Sequence, residues 1–260
     1  MPSKQIGKER IWFRYHDGSE PGLLFVHGAG GNSLSWILQY RHFRGKRIIV
    51  QPDLPGHGKS TGDGRESLVA YARFLKNLVT ELGLSRVVVA GHSMGGGIAL
   101  EFAINYPDLV EGLVLAGTGA RLTVSGRIID LVSTNPAALP KLLSKWICAP
   151  GVSRVIIKRS IAMLEQTDPK VLQKDFEACK RLDLTPEIDR IEAPAVVITG
   201  MQDRMTPVIM GRQLTQGLPN ARHVILEGAG HMVMVEKAQE FNSTMDSFLH
   251  EIAQHKFRYR

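Results

Sequence analysis

Residues 90–98 read AGHSMGGGI, a lone hydroxyl between two glycines with two further glycines behind it. A polar loop has no need of four glycines, and a hairpin needs only one or two. Arg86-Val87-Val88-Val89 runs before this stretch and Ile98-Ala99-Leu100-Glu101-Phe102-Ala103 after it, so Ser93 sits where a strand gives way to a helix. Gly91-His92-Ser93-Met94-Gly95 fits G-x-S-x-G in the strand-to-helix setting that the pattern requires. A chain turning that sharply holds Ser93 in strained backbone, and Gly91 and Gly95 lack a Cβ because strand and helix pass too close for one. Gly96 and Gly97 let the first helical turn pack tightly on the sheet. The hydroxyl then stands exposed at the sheet's carboxyl edge, at the positive end of a helix. Nucleophilic attack is the chemistry that such a placement suits.

A serine hydroxyl is a weak nucleophile and needs a base, itself oriented by an acid. Of the nine histidines, His231 stands out, in the glycine-rich run Glu227-Gly228-Ala229-Gly230-His231-Met232 after an apolar strand. His92 neighbours the serine and its side chain must diverge from it; His27 and His57 sit among turn glycines. His16, His42, His223, His250 and His255 read as surface or strand residues. The acid is Asp203, in Gly200-Met201-Gln202-Asp203-Arg204-Met205-Thr206-Pro207 after the strand Ala195–Gly200. Its rival, Asp53, precedes the serine and braces Pro55-Gly56-His57-Gly58.

Acyl transfer also needs two donors for an oxyanion. The loop His27-Gly28-Ala29-Gly30-Gly31-Asn32 has small residues whose amides are free to point inward, and the backbone N–H groups of Ala29 and Met94 are assigned this role. The loop has neither G-x-x-x-x-G-K-[ST] nor G-x-G-x-x-G spacing, so it is not read as a phosphate cradle. Each of the four pieces falls directly after a predicted parallel strand, and in an open α/β sheet those carboxyl ends share the edge where ligands bind.

The strands that must position them are apolar runs with glycine or polar stops: Gly22–His27, Arg47–Leu54, Arg86–Ala90, Gly112–Gly117, Ala195–Gly200 and Arg222–Glu227. Fully apolar strands suit a parallel sheet covered on both faces. Helical patterns alternate with them: Ser67–Leu82 with Ser67 as N-cap, Met94–Asn105 stopped by Tyr106-Pro107, and a long amphipathic close over Lys237–His255. The alternation predicts an α/β doubly wound sheet. From Gly119 to Arg190 no strand pattern occurs, only helical stretches broken by prolines. That stretch holds twelve Lys and Arg against eight Asp and Glu, a net of +4 out of +7 for the chain. Residues 1–118 and 191–260 are therefore expected to form the core and 119–190 a helical cap.

With 260 residues and 43% hydrophobic content the chain can bury a sizeable core. No signal peptide or membrane span is read, and Cys148 and Cys179 have no metal-type spacing, so a cytoplasmic location is expected. Basic residues are scattered apart from the tail Lys256–Arg260, a pattern that argues against nucleic acid as a partner. No metal or organic cofactor is implied.

The motifs HGAGG, DLPGHGKS, GHSMGG, GMQDRMTP and GAGHMVMVE, spread along the chain, resemble the α/β-hydrolase superfamily and its small, cap-bearing, esterase-like branch. The resemblance implies a mostly parallel sheet of about eight strands with a helical cap between strands six and seven. It gives Ser93 as nucleophile, Asp203 as acid, His231 as base, and Ala29 and Met94 as oxyanion donors. The serine separates this chain from haloalkane dehalogenases and epoxide hydrolases, which use an aspartate. HGAGG also lacks the proline usual in proline iminopeptidases.

The expected function is hydrolysis of small-molecule carboxylic esters through an acyl-enzyme. Thioester or carbon–carbon bond hydrolysis, cofactor-free perhydrolysis in the manner of haloperoxidases, and a small-molecule receptor that retains the triad are the alternatives. Gly28, Trp36, Trp146 and Met163 are candidates to touch substrate, with Leu164, Ile156 and Ile157 as further pocket residues. A net basic cap favours acyl groups bearing a carboxylate, or a thioester of an anionic carrier.

Overall fold

The computed structural model describes residues 3–254. His255 and the basic tail Lys256–Arg260 lie outside the described residues. Eight strands form one sheet: β1 (Ser3–Ile6), β2 (Glu9–His16), β3 (Ser19–Val26), β4 (Arg47–Pro52), β5 (Val87–His92), β6 (Val110–Ala116), β7 (Ala195–Gly200) and β8 (Ala221–Leu226). Their order across the sheet is β1-β2-β4-β3-β5-β6-β7-β8. From β4 to β8 every neighbouring pair is parallel, while β1 and β2 form an antiparallel edge.

The six parallel strands are the six apolar runs of the sequence, shifted at their ends by up to three residues. The edge pair is not among those runs. Only Ile6, Ile11 and Phe13 of β1 and β2 are buried, because an edge strand with one wet face alternates polar and apolar residues.

Period-two alternation sorts the central strands into two apolar layers. Val87 and Val89 point into the layer shared with Leu24, Val26, Leu113, Leu115 and Val197; Val88 and Ala90 point into the opposite one with Leu23, Phe25, Val114 and Ile198. The first layer is covered by α2 (Leu68–Glu81), α3 (Met94–Asn105) and α8 (Val208–Gly217), the second by α1 (Ile37–Phe43), the short α9 (Val233–Glu236) and α10 (Ala238–Ala253). Ser67 caps α2 by accepting a hydrogen bond from the Ala70 N–H at 3.3 Å. The closing amphipathic pattern expected over Lys237–His255 is the single helix α10, with the short α9 before it. No helix among the described residues is long and apolar enough to cross a membrane.

Between β6 and β7 run α4 (Gly126–Thr134), α5 (Leu139–Leu143), α6 (Arg154–Gln166) and α7 (Pro169–Arg181). Their buried faces, including Ile128, Val132, Leu143, Leu164, Leu172 and Phe176, join the second layer. This helical segment is thus continuous with the core packing of the sheet it covers.

The turn at Ser93 is held by close backbone approach. A Cβ on Gly95 would stand 2.3 Å from the Val26 carbonyl oxygen, and one on Gly91 would stand 2.1 Å from the Gly95 carbonyl oxygen. Both obstacles are backbone and cannot rotate away. Gly97 differs from its sequence reading: a Cβ there would meet Leu68 and Leu182 side chains, so its space is taken by neighbouring helical segments rather than by the sheet. Gly95→Ala is expected to lose more than ~3 kcal/mol in denaturant unfolding, the upper range for overpacking. Gly126→Ala, where the added Cβ meets nothing within 4 Å, is the control, expected to keep or slightly raise the midpoint. An unaltered midpoint for Gly95→Ala would show that strand and helix have slack here.

Candidate active site

The four loops singled out by sequence follow β3, β5, β7 and β8 and so leave the same edge of the sheet. At the end of β5 the backbone reverses through Ser93, at φ 53° and ψ −118°, the one non-glycine residue with positive φ among the described residues. Four partners lock it there. Its N–H donates to the Ala116 carbonyl at 2.9 Å, while its carbonyl accepts from the N–H groups of Gly96 and Gly97 and from the Thr118 hydroxyl. Strain of this kind persists only where surrounding structure over-determines it. The first N–H groups of a helix have no acceptor within it, and the Met94 N–H opens α3 directly after the serine.

After β7, Asp203 is buried, and each carboxylate oxygen has its own donors. Oδ1 accepts the N–H groups of Met205 and Thr206 at 2.8 and 2.9 Å. Oδ2 accepts the Thr206 hydroxyl at 2.7 Å and His231 Nδ1 at 2.9 Å. Burial alone would raise the Asp203 pKa, but the His231 imidazole and the Thr206 donors outweigh it and hold the carboxyl below its usual range. Because a carboxylate only accepts, Nδ1 of His231 carries the proton and Nε2 is left as the basic nitrogen.

The His231 loop is gripped by a second acid. Glu236 accepts the N–H groups of Gly230 and Met232, which flank the histidine, at 2.9 Å each, and that of Ala149 at 2.8 Å. Burial raises its pKa against the pull of these three donors. His92 packs beside His231, ring centroids 4.7 Å apart, and its Nε2 donates to the His231 carbonyl at 2.9 Å. Burial drives the His92 pKa down to about 3, so it stays neutral and competes with His231 neither as base nor as cation. Thr206 and Glu236 were absent from the sequence reading of the site, although both stand in the quoted motifs, three residues after Asp203 and five after His231.

After β3, the Gly28 carbonyl accepts from the Gly31 N–H at 3.0 Å and from His27 Nδ1 at 2.9 Å. Carbonyl and N–H of one planar peptide point oppositely, so this grip turns the Ala29 N–H away from His27. A Cβ on Gly28 would lie 3.2 Å from the Ser93 Cβ, which puts this loop against the serine. Asp53 braces two loops, accepting from the N–H of Ser33 at 2.7 Å and of Lys59 at 2.9 Å, and makes no contact with His231.

Ser93 and His231 line one cavity together with Gly28, Ala29, Met163 and Leu164. Its empty volume is about 520 Å³ counting the open mouth. Leu143, Ile147, Phe176, Met205 and Met232 make the wall apolar. Trp36 is elsewhere: it is fully buried between Phe25 and Phe241, with ring centroids 5.2 and 5.9 Å away, a core residue rather than a wall residue. Trp146, Ile156 and Ile157 are half-buried against the second layer and also do not line the cavity. Among the described residues, no group of three or more His, Cys, Asp or Glu is placed to hold a metal.

The family model of the alpha/beta hydrolase family matches residues 23–244. A 2-hydroxy-6-oxo-6-phenylhexa-2,4-dienoate hydrolase of Comamonas testosteroni is 30% identical over 267 residues, covering 90% of this chain and 89% of its own. The enol-lactonase of Burkholderia xenovorans LB400 superposes with a TM-score of 0.88 at 25% identity, over 96% of this chain and all of its own. A thermophilic esterase does so with a TM-score of 0.85 at 27% identity, over 96% and 97%. Sheet, loop placement and sequence agree, and the chain belongs to the alpha/beta hydrolase family.

Proposed function

We propose that this hydrolase is a serine esterase whose substrates carry an uncharged, apolar acyl group. His231 Nε2 takes the proton of Ser93 as the oxygen attacks the ester carbonyl, and the N–H groups of Ala29 and Met94 receive the oxyanion. The alcohol leaves with the proton from His231, and water returns by the reverse route to release the acid. Asp203 keeps the imidazole in the required tautomer and stabilises its cation. The 119–190 helices form the cap that roofs the serine.

The observation that carries the substrate class is the cavity wall. Among the described residues that line it there is no Lys, Arg, Asp or Glu. The cap's basic residues lie on its outside: Arg154, Lys158 and Arg159 of α6 are exposed, as are Lys141 and Lys145. The net positive charge of the segment therefore gives no support to a carboxylate-bearing acyl group, contrary to the sequence reading. A carboxylate buried without a partner is costly. Carbon–carbon hydrolysis of the kind named for the Comamonas relative takes a dienoate whose carboxylate lies on the leaving portion, and no Lys or Arg among the described lining residues is there to pair it.

The test is a panel of nitrophenyl esters from acetate to palmitate, with a carboxylate-ended acyl ester of matched length and a 2-hydroxy-6-oxo-dienoate. Neutral esters are expected to exceed the matched carboxylate in kcat/KM by about 100-fold, equivalent to ~2.7 kcal/mol. Faster turnover of the dienoate would replace esterase by carbon–carbon hydrolase.

A further inference from the structure

The oxyanion loop is held on both sides of Gly30 by residues of the cap. The Gly30 N–H donates to Asp175 Oδ2 of α7 at 3.0 Å. The Gly30 carbonyl lies 3.1 Å from the Thr167 hydroxyl at the end of α6, which shares its proton with the Met163 carbonyl, also at 3.1 Å. The side chains of Leu164 and Leu172 close over the same residue, leaving no space for a Cβ there.

Asp175 is fully buried and makes more than this one contact. Its Oδ2 also accepts from His57 Nε2 at 2.8 Å, and its Oδ1 accepts the Tyr71 hydroxyl at 2.8 Å. The direction of the Tyr71 bond is fixed because the Tyr71 oxygen itself accepts from the Arg65 N–H at 3.1 Å. His57 Nδ1 faces the Pro55 carbonyl at 3.1 Å, which only accepts, so both ring nitrogens of His57 are donors and the ring is an imidazolium. Burial would lower its pKa, but the Asp175 carboxylate beside it raises it. His27, its ring 4.9 Å from that of His57 and tilted 59° to it, is driven the other way by burial, to about 3. Its neutral ring accepts from the Leu54 N–H at 3.0 Å and donates to the Gly28 carbonyl, the peptide that aims the Ala29 N–H.

One carboxylate from the cap thus receives donors from three core segments: Gly30 in the loop after β3, His57 in the loop after β4, and Tyr71 in α2. A buried ion pair is poor evidence of stabilisation, because desolvation offsets the attraction. Its geometric consequence is specific. With Asp175 and Thr167 in place the peptides on either side of Gly30 have one orientation; with the cap displaced, a glycine at φ 63° has several. We propose that Asp175 is a positioning residue through which the docked cap sets the oxyanion loop, so that closing the cap and forming the anion site are one event. Substrate entry that lifts α7 would disarm the site, and a cap seated over bound substrate would arm it. This inference rests on the esterase mechanism above for its catalytic consequence but not for the coupling itself.

Two variants and two readouts test it. Asp175→Asn removes the charge and one of the acceptors; Thr167→Val removes the hydroxyl contacts to the Gly30 and Met163 carbonyls and leaves the buried pair intact. Amide hydrogen exchange of the 27–33 segment is measured in each, together with kcat and KM on the best neutral ester. Faster exchange of 27–33 is expected in both variants. In Asp175→Asn, kcat is expected to fall roughly 10²-fold, the scale of a misplaced reacting group, with KM within about twofold; Thr167→Val should follow in the same direction with a smaller fall.

Unchanged exchange in folded Asp175→Asn, or faster exchange with unchanged kcat, overturns the proposal. So does a rise in KM without a fall in kcat, which marks a substrate contact instead. If Asp175→Asn fails to fold, Thr167→Val decides by the same criteria. If the wild type hydrolyses no ester and its Ser93 is not labelled by a fluorophosphonate, the esterase reading falls, and the exchange measurement alone decides whether the cap sets the loop.

Discussion

Replacing Ser93 by glycine is expected to abolish ester hydrolysis and raise the melting temperature together. Loss of a serine nucleophile of this type lowers kcat by about 10⁶-fold, whatever replaces it. Stability separates the replacements. Ser93 holds φ 53°, a conformation that costs a residue with a Cβ on the order of 1–3 kcal/mol. Glycine removes that strain but loses about 0.5–1 kcal/mol through the greater freedom of its unfolded chain. The balance is up to ~2 kcal/mol, and in a chain of this size each kcal/mol moves Tm by roughly 2–4 °C. Ser93→Ala keeps the Cβ and the strain, so it should be equally inactive with no gain in Tm. The check is kcat on a nitrophenyl ester and a calorimetric Tm for both variants. Activity surviving in either would remove Ser93 from the mechanism. Equal Tm values would mean that the turn stores no strain.

Asp203→Asn is expected to lower kcat about 10⁴-fold with little change in KM or fold. The reason lies in how the carboxylate is shared. The backbone N–H groups of Met205 and Thr206 both point at Oδ1. An asparagine has a single oxygen, and these two donors claim it. Its amide NH₂ then faces His231 where Oδ2 stood, 2.9 Å from Nδ1. Two donors cannot share that contact, so Nδ1 becomes the acceptor and the proton moves to Nε2, the atom that must deprotonate Ser93. The measurement is the pH–rate profile with NMR of the imidazole protons. A variant with near wild-type kcat would show that His231 needs no acid partner. Loss of the Asp203 oxygens without a change of tautomer would place the effect in loop packing instead.

The residues proposed to do chemistry and the strands that carry them were legible for one reason. A nucleophile turn, an acid after one strand and a histidine after another are local patterns, each readable within about ten residues, and an apolar run of parallel strand is just as local. Ser93 and Asp203 each follow a run that is buried on both faces, Val87-Val88-Val89 and Ala195–Ile198, whereas His231 follows β8, whose interior is half-buried. The β1–β2 edge was not legible because its one dry face leaves only Ile6, Ile11 and Phe13 as a sparse signal.

Side-chain destinations were harder. Trp36 follows the oxyanion loop by a few positions and was a reasonable wall residue, yet the chain turns it down between Phe25 and Phe241. Met163 and Leu164 reached the cavity while Trp146 and Ile156, on equally apolar cap stripes, did not. A helical stripe tells which face is dry but not which part of that face meets a void. Net charge likewise says nothing of the side on which the segment's lysines and arginines stand.

From sequence alone followed the order Ser93, Asp203, His231 of the proposed triad, the strands that end beneath them, and a helical segment between β6 and β7. Only the tertiary structure decided that Thr206 and Glu236 hold the acid and the histidine, that no cation lines the cavity among the described residues, and that Asp175 ties Gly30 to His57 and Tyr71. The physical reason is the range of the contact. A turn or a strand is specified by neighbours along the chain, whereas Asp175 meets Gly30 across 145 positions, His57 across 118 and Tyr71 across 104, and only packing brings them within a hydrogen bond.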